Sequence, residues 1–369
     1  MSKIVISGYY GFANAGDEAM LTAIVKSLRS RDASAELTVI SGNPAATAAR
    51  HNVVSIHRFN PLAIINAVRE SDLLLSGGGS LLQDVTSRKS LLYYLSVLAL
   101  GRWFGKKVML FAQGIGPINS AFLRRLTRFV CSNADLITVR DADSLEELRR
   151  IGIPEQKVLL TADAVLTLPQ ADIRQGRLLL QSFDIPDNQR LIAVSVRKWQ
   201  EEEKYLQELA AAADVLIEKY DAHVVLLPLQ YPVDVDACRK MYQYVKKTDR
   251  CTVLDAACDT EMFLSLTGNF SLLIGMRLHA LIFAAVMRIP FVGVSYDPKI
   301  DGFIKEVGGV SAGQINGLTA QEVVAAAAKA LNSDAGSWRR LEVLCNKAME
   351  NISMAFSLLP DSQKHLKGE

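Results

Sequence analysis

The sequence predicts an α/β protein made of two doubly wound domains, and three observations carry that prediction. Short apolar runs alternate with segments of helical period, the pattern of a parallel sheet with crossover helices. Several of these runs end in glycine or polar clusters, as strands do at the carboxyl edge of such a sheet. The rhythm stops over Thr161–Gly176, a segment with Pro169 and mixed polar residues, and resumes at Leu191–Val196. At 369 residues the chain is too long for one ordinary core and suits two domains of roughly 150–200 residues. The expected boundaries are 1–168 for the first domain, 169–345 for the second, and 346–369 for a terminal helical segment; the helical pattern over Ser337–Phe356 suits a return to the first domain.

In order, Lys3–Ser7 is a strand, and the loop Gly8–Glu18 precedes a helix running to Arg31. Glu36–Ile40 and Val53–Ile56 are further strands, and Pro61–Arg69 is a helix. Asp72–Ser76 is a strand that runs into Gly77, Gly78, Gly79 and Ser80. A helix over Leu91–Phe104, a strand over Val108–Ala112, a helix over Ala121–Cys131, the strand Asp135–Val139 and the helix Ser144–Arg150 complete the first half. The second half continues from Leu191–Val196 through alternating helices and strands to Leu272–Ile274, Leu278–Val286 and Ile289–Val294, with a helix over Ala320–Leu331.

Composition excludes several classes of function. Half of the residues are hydrophobic and 22% are charged, as in a globular protein. A net charge of +2 argues against a general nucleic-acid binder and leaves anion binding to local basic sites. The five cysteines are scattered, without a CxxC pair, which fits a reduced, cytoplasmic protein with no structural metal. Met1–Ile6 enters a strand directly, without the pattern of a signal peptide. Leu91–Leu100 is too short to span a bilayer. Trp103, Phe104, Lys106 and Lys107 next to the basic helix bearing Arg124, Arg125 and Arg128 read either as a solvated face or as a peripheral contact with anionic lipid.

Candidate site residues gather where strands end. Gly275 closes the run Leu272–Ile274, so Arg277 and His279 stand at a strand-to-helix corner, where unpaired N–H groups and the helix dipole favour an anion. Arg277 adds a donor fork suited to phosphate or carboxylate. Tyr296, Asp297, Pro298 and Lys299 form the loop after the next strand, which sets Lys299 beside His279 on adjacent strand ends. His279 taken alone reads as a capping or structural residue; with two cations beside it, the corner reads as an anion site. In the first half, GYYGFANAG does not give the G-x-G-x-x-G of a dinucleotide fold. Asp17 and Glu18 serve either the helix dipole or proton removal from a hydroxyl. The triple glycine serves either a close-packed crossover or a ligand-facing loop with Ser80, Gln83 and Asp84. Arg140 ends a further strand, where a salt bridge to Asp141 or a neighbouring acid is the alternative to ligand binding.

These stretches resemble the polysaccharide pyruvyl transferase family, especially its S-layer cell-wall branch of the CsaB type. The resemblance rests on the N-x-G-D-E loop (Asn14, Gly16, Asp17, Glu18), the G-G-G-x-x-x-x-D stretch (Gly77–Gly79, Asp84), Arg140 in a Val-Arg-Asp context, the triplet Arg277-Leu278-His279, and Lys299. It implies two Rossmann-like domains facing a cleft, the GT-B arrangement. It further implies transfer of a pyruvyl group from phosphoenolpyruvate to a hexose, such as N-acetylmannosamine, of a lipid-linked cell-wall glycan precursor. The product is a 4,6-ketal, phosphate is released, and phosphoenolpyruvate is a substrate, so no cofactor is needed. Arg140, Arg277, Leu278, His279 and Lys299 would bind the donor. Gly11, Asn14, Gly78, Gly79 and Asp84 would face the acceptor, and His279 with Asp17 or Glu18 would move protons. The alternative is a GT-B glycosyltransferase using a nucleotide sugar, with Asp297 on the ribose.

Overall fold

The computed structural model describes residues 1–200, 203–333 and 336–359. The chain divides into two compact units, one formed by residues up to Thr167 together with the segment from Leu344, the other by Leu168–Val343.

Unit 1 contains β1 (Lys3–Ser7), α1 (Ala15–Arg31), β2 (Glu36–Ser41), α2 (Pro44–His51), β3 (Val54–His57), α3 (Pro61–Glu70), β4 (Leu73–Leu82), α4 (Arg88–Trp103), β5 (Lys107–Ile115), α5 (Ala121–Ser132), β6 (Leu136–Val139), α6 (Ala142–Ile151) and β7 (Val158–Leu160). Its parallel sheet has the order β3-β2-β1-β4-β5-β6-β7. The order reverses between β1 and β4, where ligands bind in doubly wound sheets. Right-handed crossovers put α3, α4 and α5 in one layer, and α3 packs on α4 as α4 does on α5.

Unit 2 contains α7 (Arg174–Gln181), β8 (Arg190–Ser195), α8 (Lys204–Tyr220), β9 (Ala222–Leu226), α9 (Val233–Tyr244), β10 (Cys251–Val253), α10 (Thr260–Thr267), β11 (Leu272–Gly275), α11 (Leu278–Val286), β12 (Phe291–Ser295), α12 (Pro298–Val307), β13 (Val310–Gln314) and α13 (Ala320–Leu331). The parallel sheet runs β10-β9-β8-β11-β12-β13 and reverses between β8 and β11. The last helix, α14 (Gly336–Ser357), starts in unit 2 and finishes in unit 1. In its second half Asn351 is buried and bonds Thr161 Oγ1 at 3.0 Å and the Ala162 carbonyl at 3.4 Å.

The structure corrects two sequence expectations. The first is the strand ending at Ser76: β4 runs on through the glycines to Leu82, pairing Gly77 with Phe111 and Gly79 with Gln113 before a register shift. The glycines are there because α1 and the loop before it lie against them. A Cβ on Gly77 would stand 2.5 Å from the Tyr10 hydroxyl, and one on Gly78 would stand 2.1 Å from the Met20 sulfur. Close packing of strand on helix therefore accounts for Gly77 and Gly78.

The break over Thr161–Gly176 contains the boundary between the units, which falls between Thr167 and Leu168. Thr161–Leu166 is buried within unit 1, and α7 begins at Arg174, with Gly176 donating its N–H to Ser265 Oγ at 2.7 Å. A side chain at Gly176 would strike the α10 backbone at 2.4 Å, so this glycine marks a tight helix crossing. The second correction is the loop over Tyr296–Lys299, which is the start of α12: Asp297 is its N-cap and Pro298 its first residue.

Gly78→Ala tests the packing account. Gly78 has φ of +29° and Met20 is fully buried, so the added methyl has nowhere to go. The expected loss is about 1–3 kcal/mol in urea unfolding, the usual cost of overpacking. Gly105→Ala, at a positive φ but with open space around it, should lose about 1 kcal/mol from backbone strain alone.

Candidate active site

Each unit carries polar side chains at the point where its strand order reverses. In unit 1, α1 begins at the carboxyl end of β1. Asn14 caps the helix by accepting from the Gly16 N–H at 3.0 Å. Asp17, in the first turn and only partly buried, lies against the last glycine of the three: a Cβ on Gly79, where φ is +79°, would stand 2.9 Å from Asp17 Oδ1. The bare backbone of Gly79 is what lets this carboxylate sit there. The negative charge of Asp17 acts on its neighbours. It adds to the burial that pushes the Tyr10 phenol well above its ordinary value, and it favours the Arg140 guanidinium.

Glu18 is held differently. Its carboxylate is buried, accepts from the Gly11 N–H at 2.7 Å and lies 3.9 Å from Arg50. Gly11 has φ of +79° and its Cα faces Ser41 and the Asn43 backbone, so Glu18 and Gly11 together pin the β1–α1 loop. Burial raises the Glu18 pKa against the opposing pull of Gly11 and Arg50. A carboxyl raised on folding contributes stability that is full below the unfolded pKa and is lost as pH rises through the folded one. Glu18→Gln, which keeps an acceptor for Gly11, should therefore gain urea stability relative to wild type as pH rises above about 4. Parallel unfolding curves at each pH check this.

Arg140 ends β6 as expected, but its guanidinium is 6% exposed and committed. Nη1 donates to Asp163 at 2.7 Å and Nη2 to Ser80 Oγ at 3.2 Å, while Nε lies 3.5 Å from Asp141. Burial works against the charge; Asp163 first and then Asp141 outweigh it and hold the pKa above the ordinary arginine value. Arg140 therefore forms a buried salt bridge, with Asp163 as the main partner. Gly114 makes room for this group, since a Cβ there would be 3.0 Å from Nη2. Asp84 likewise has a structural role, because its carboxylate accepts from the backbone of Asn119 and Ser120, both at 2.8 Å, before α5. Those bonds outweigh desolvation and hold its pKa below the usual range.

In unit 2, β11 leads through Met276 into α11, whose N-cap Arg277 has no side-chain cap bond. Every residue of α11 is buried except His279, in the first turn. Leu278 is packed into the core, so what it can offer a ligand is its backbone. Arg277 commits one edge of its fork to buried Asp234, with Nε and Nη2 each 2.5 Å from a carboxylate oxygen, and Nη2 also reaches Gln230 at 3.1 Å. Lys299 stands in the first turn of α12, on the strand end next to β11, with its ammonium 2.9 Å from Asp297. From the far side of β11, Arg197 donates to the Tyr296 hydroxyl at 2.8 Å, and Trp199 packs on the same ring.

The structure thus brings Asp17 to Gly79 in unit 1, and sets His279, Arg277 and Lys299 on neighbouring strand ends in unit 2. Sequence reasoning missed Asp163, Asp234 and Gln230. Asp234 carried a readable signal, as an acid in the first turn of a helix following Pro232.

Two parallel doubly wound sheets of seven and six strands place the chain in the GT-B-like fold class. The UDP-GlcNAc 2-epimerase of Methanocaldococcus jannaschii superposes with a TM-score of 0.70 at 13% identity, covering 97% of this chain and 99% of that one. The E. coli ADP-heptose lipopolysaccharide heptosyltransferase II gives 0.55 at 15% identity, over 90% and 98%. The family is settled by sequence: the polysaccharide pyruvyl transferase model matches residues 14–298, and the chain belongs to that family. It is also 23% identical to the amylovoran biosynthesis protein AmsJ of Erwinia amylovora, over 83% of this chain and 86% of that protein. The matched range holds both corners, Asp17 and Arg277–His279, and stops one residue short of Lys299.

Proposed function

We propose that this pyruvyl transferase takes its pyruvyl group from phosphoenolpyruvate and places it on two hydroxyls of one hexose in a lipid-linked glycan, releasing phosphate. N-acetylmannosamine is the expected sugar, and the S-layer type of secondary cell-wall polymer the expected setting. The observation that carries the reading is the family match over both the carboxylate corner and the histidine corner.

The chemistry asks for few groups. One sugar hydroxyl attacks C2 of the donor while C3 gains a proton, which forms one C–O bond and turns the methylene into a methyl. The second hydroxyl then attacks C2 and phosphate leaves with the C–O bonding pair, closing the ketal. Asp17 is the residue we assign as base, because it is partly exposed beside the bare backbone of Gly79, whereas Glu18 is buried. His279 is assigned to proton donation or to the departing phosphate, beside the N–H groups of the first turn of α11. Lys299 and the remaining edge of Arg277 offset the anionic charge of the donor. Arg140 acts in this reading by positioning Ser80 and Asp163, not by touching the donor.

Incubation with phosphoenolpyruvate and a hexose-bearing glycan should release phosphate and leave an acid-labile pyruvyl ketal on the glycan, seen by mass spectrometry. Release of nucleotide from a nucleotide sugar, with no phosphate from phosphoenolpyruvate, would replace this reading by the glycosyltransferase one. Asp17→Asn should slow transfer by about 100-fold, the usual contribution of a general base, while calorimetry shows donor binding unchanged.

A further inference from the structure

From Val85 to Ala134 the chain contains eight lysines and arginines and no aspartate or glutamate, although 41 basic and 39 acidic residues nearly cancel over the whole sequence. This acid-free stretch forms α4, β5 and α5, and both helices belong to one layer of unit 1. Arg102 and Lys107 are taken up by Asp135, at 2.8 and 3.1 Å. Among the described residues, no carboxylate lies within ion-pair distance of Arg124, Arg125 or Arg128.

The outward face of α5 explains why those arginines matter. Leu123, Thr127, Val130 and Cys131 turn inward and are buried. Phe122, Arg125 and Phe129 follow one another at intervals of three and four residues and face outward, flanked by Arg124 and Arg128. Phe122 is 66% and Phe129 70% exposed. At the end of α4, which the Arg102–Asp135 pair ties to the end of α5, Trp103 is 84% exposed. A helix whose inner side already fills a core has no packing reason to present two phenylalanines among arginines to water. A bilayer interface favours this arrangement: aromatic rings enter the acyl boundary, and guanidinium groups reach the phosphates on long stems.

We infer that the outer face of α4 and α5 is a docking surface for a membrane rich in anionic phospholipid. The matching chemistry decides the occupant, since α4 and α5 carry no acids and their most exposed apolar groups are rings suited to the interface. Among the described residues no helix is long and apolar enough to cross a membrane, and the surface acts by lying on the bilayer. This inference does not depend on which substrate the enzyme uses.

Co-sedimentation with vesicles tests it. The full-length protein should sediment with vesicles of phosphatidylcholine and phosphatidylglycerol in equal parts and stay in solution with phosphatidylcholine alone. Arg124→Glu, Arg125→Glu and Arg128→Glu together should weaken partitioning by about 100-fold or more, each lost cation being worth roughly fivefold near such a surface. Trp103→Ser, Phe122→Ser and Phe129→Ser together should also release the protein, with circular dichroism and urea unfolding unchanged because all three side chains are exposed. Equal sedimentation of wild type and both variants would overturn the inference, as would wild type that ignores anionic vesicles. So would analytical ultracentrifugation showing a vesicle-free oligomer that the aromatic variant dissolves, which would make the face a contact between protein chains.

Discussion

His279→Ala should lower pyruvyl transfer at least about 100-fold while leaving urea unfolding close to wild type. The helix explains the selectivity. Eight residues of α11 are buried and fill the core of unit 2, whereas the imidazole stands in the first turn, partly exposed, at the carboxyl end of β11. Lys299→Ala should give a loss of similar size through its charge, since the ammonium sits on the neighbouring strand end, held by Asp297 at the mouth of α12. Phosphate release and the unfolding midpoint measured on the same preparations separate catalysis from folding. Near-normal turnover in both folded variants would remove this corner from the mechanism.

Arg140→Ala should instead destabilise the protein, by about 3–5 kcal/mol, the range seen when one member of a buried ion pair is deleted. Asp163 would then be left 4% exposed without its main partner. The double variant Arg140→Ala, Asp163→Ala should recover much of that loss, because it leaves no orphaned charge. Denaturant unfolding of the two single variants and the double variant gives the coupling directly. If Arg140→Ala unfolded like wild type but no longer bound phosphoenolpyruvate, the guanidinium would belong to the donor site and the pairing with Asp163 would be incidental.

The alternation of strands and helices was legible because apolar runs are closed by glycine or a polar cluster; most of those closures survive as strand ends, whereas β4 runs on through its glycines. The corner residues Asp17 and His279 were legible for the same reason: they follow a strand and open a helix. What could not be read was how each charge is shared. Arg140 and Asp163 are 23 residues apart in sequence, and Arg277 and Asp234 are 43 apart. Nothing local links either pair. The triple glycine showed that some close neighbour needed the backbone bare, yet whether that neighbour was a ligand or Met20 of α1 is a tertiary fact. The start of α12 was readable and was missed, since Asp297 followed by Pro298 is a helix-opening pair.

The segment from Leu344 belongs to unit 1, and Asn351 joins α14 to Thr161 and Ala162. The first unit to leave the ribosome is therefore the last that can be completed. Its sheet can form while unit 2 is still being made, but the polar groups of Thr161 and Ala162 wait for almost the whole chain before Asn351 arrives. A ribosome stalled within unit 2 leaves a nascent domain with an uncovered flank for chaperones to hold. Cutting the gene at the apparent boundary would reproduce that unfinished state, whereas a circular permutant that carries the terminal helix directly after Thr167 would supply the missing piece in time.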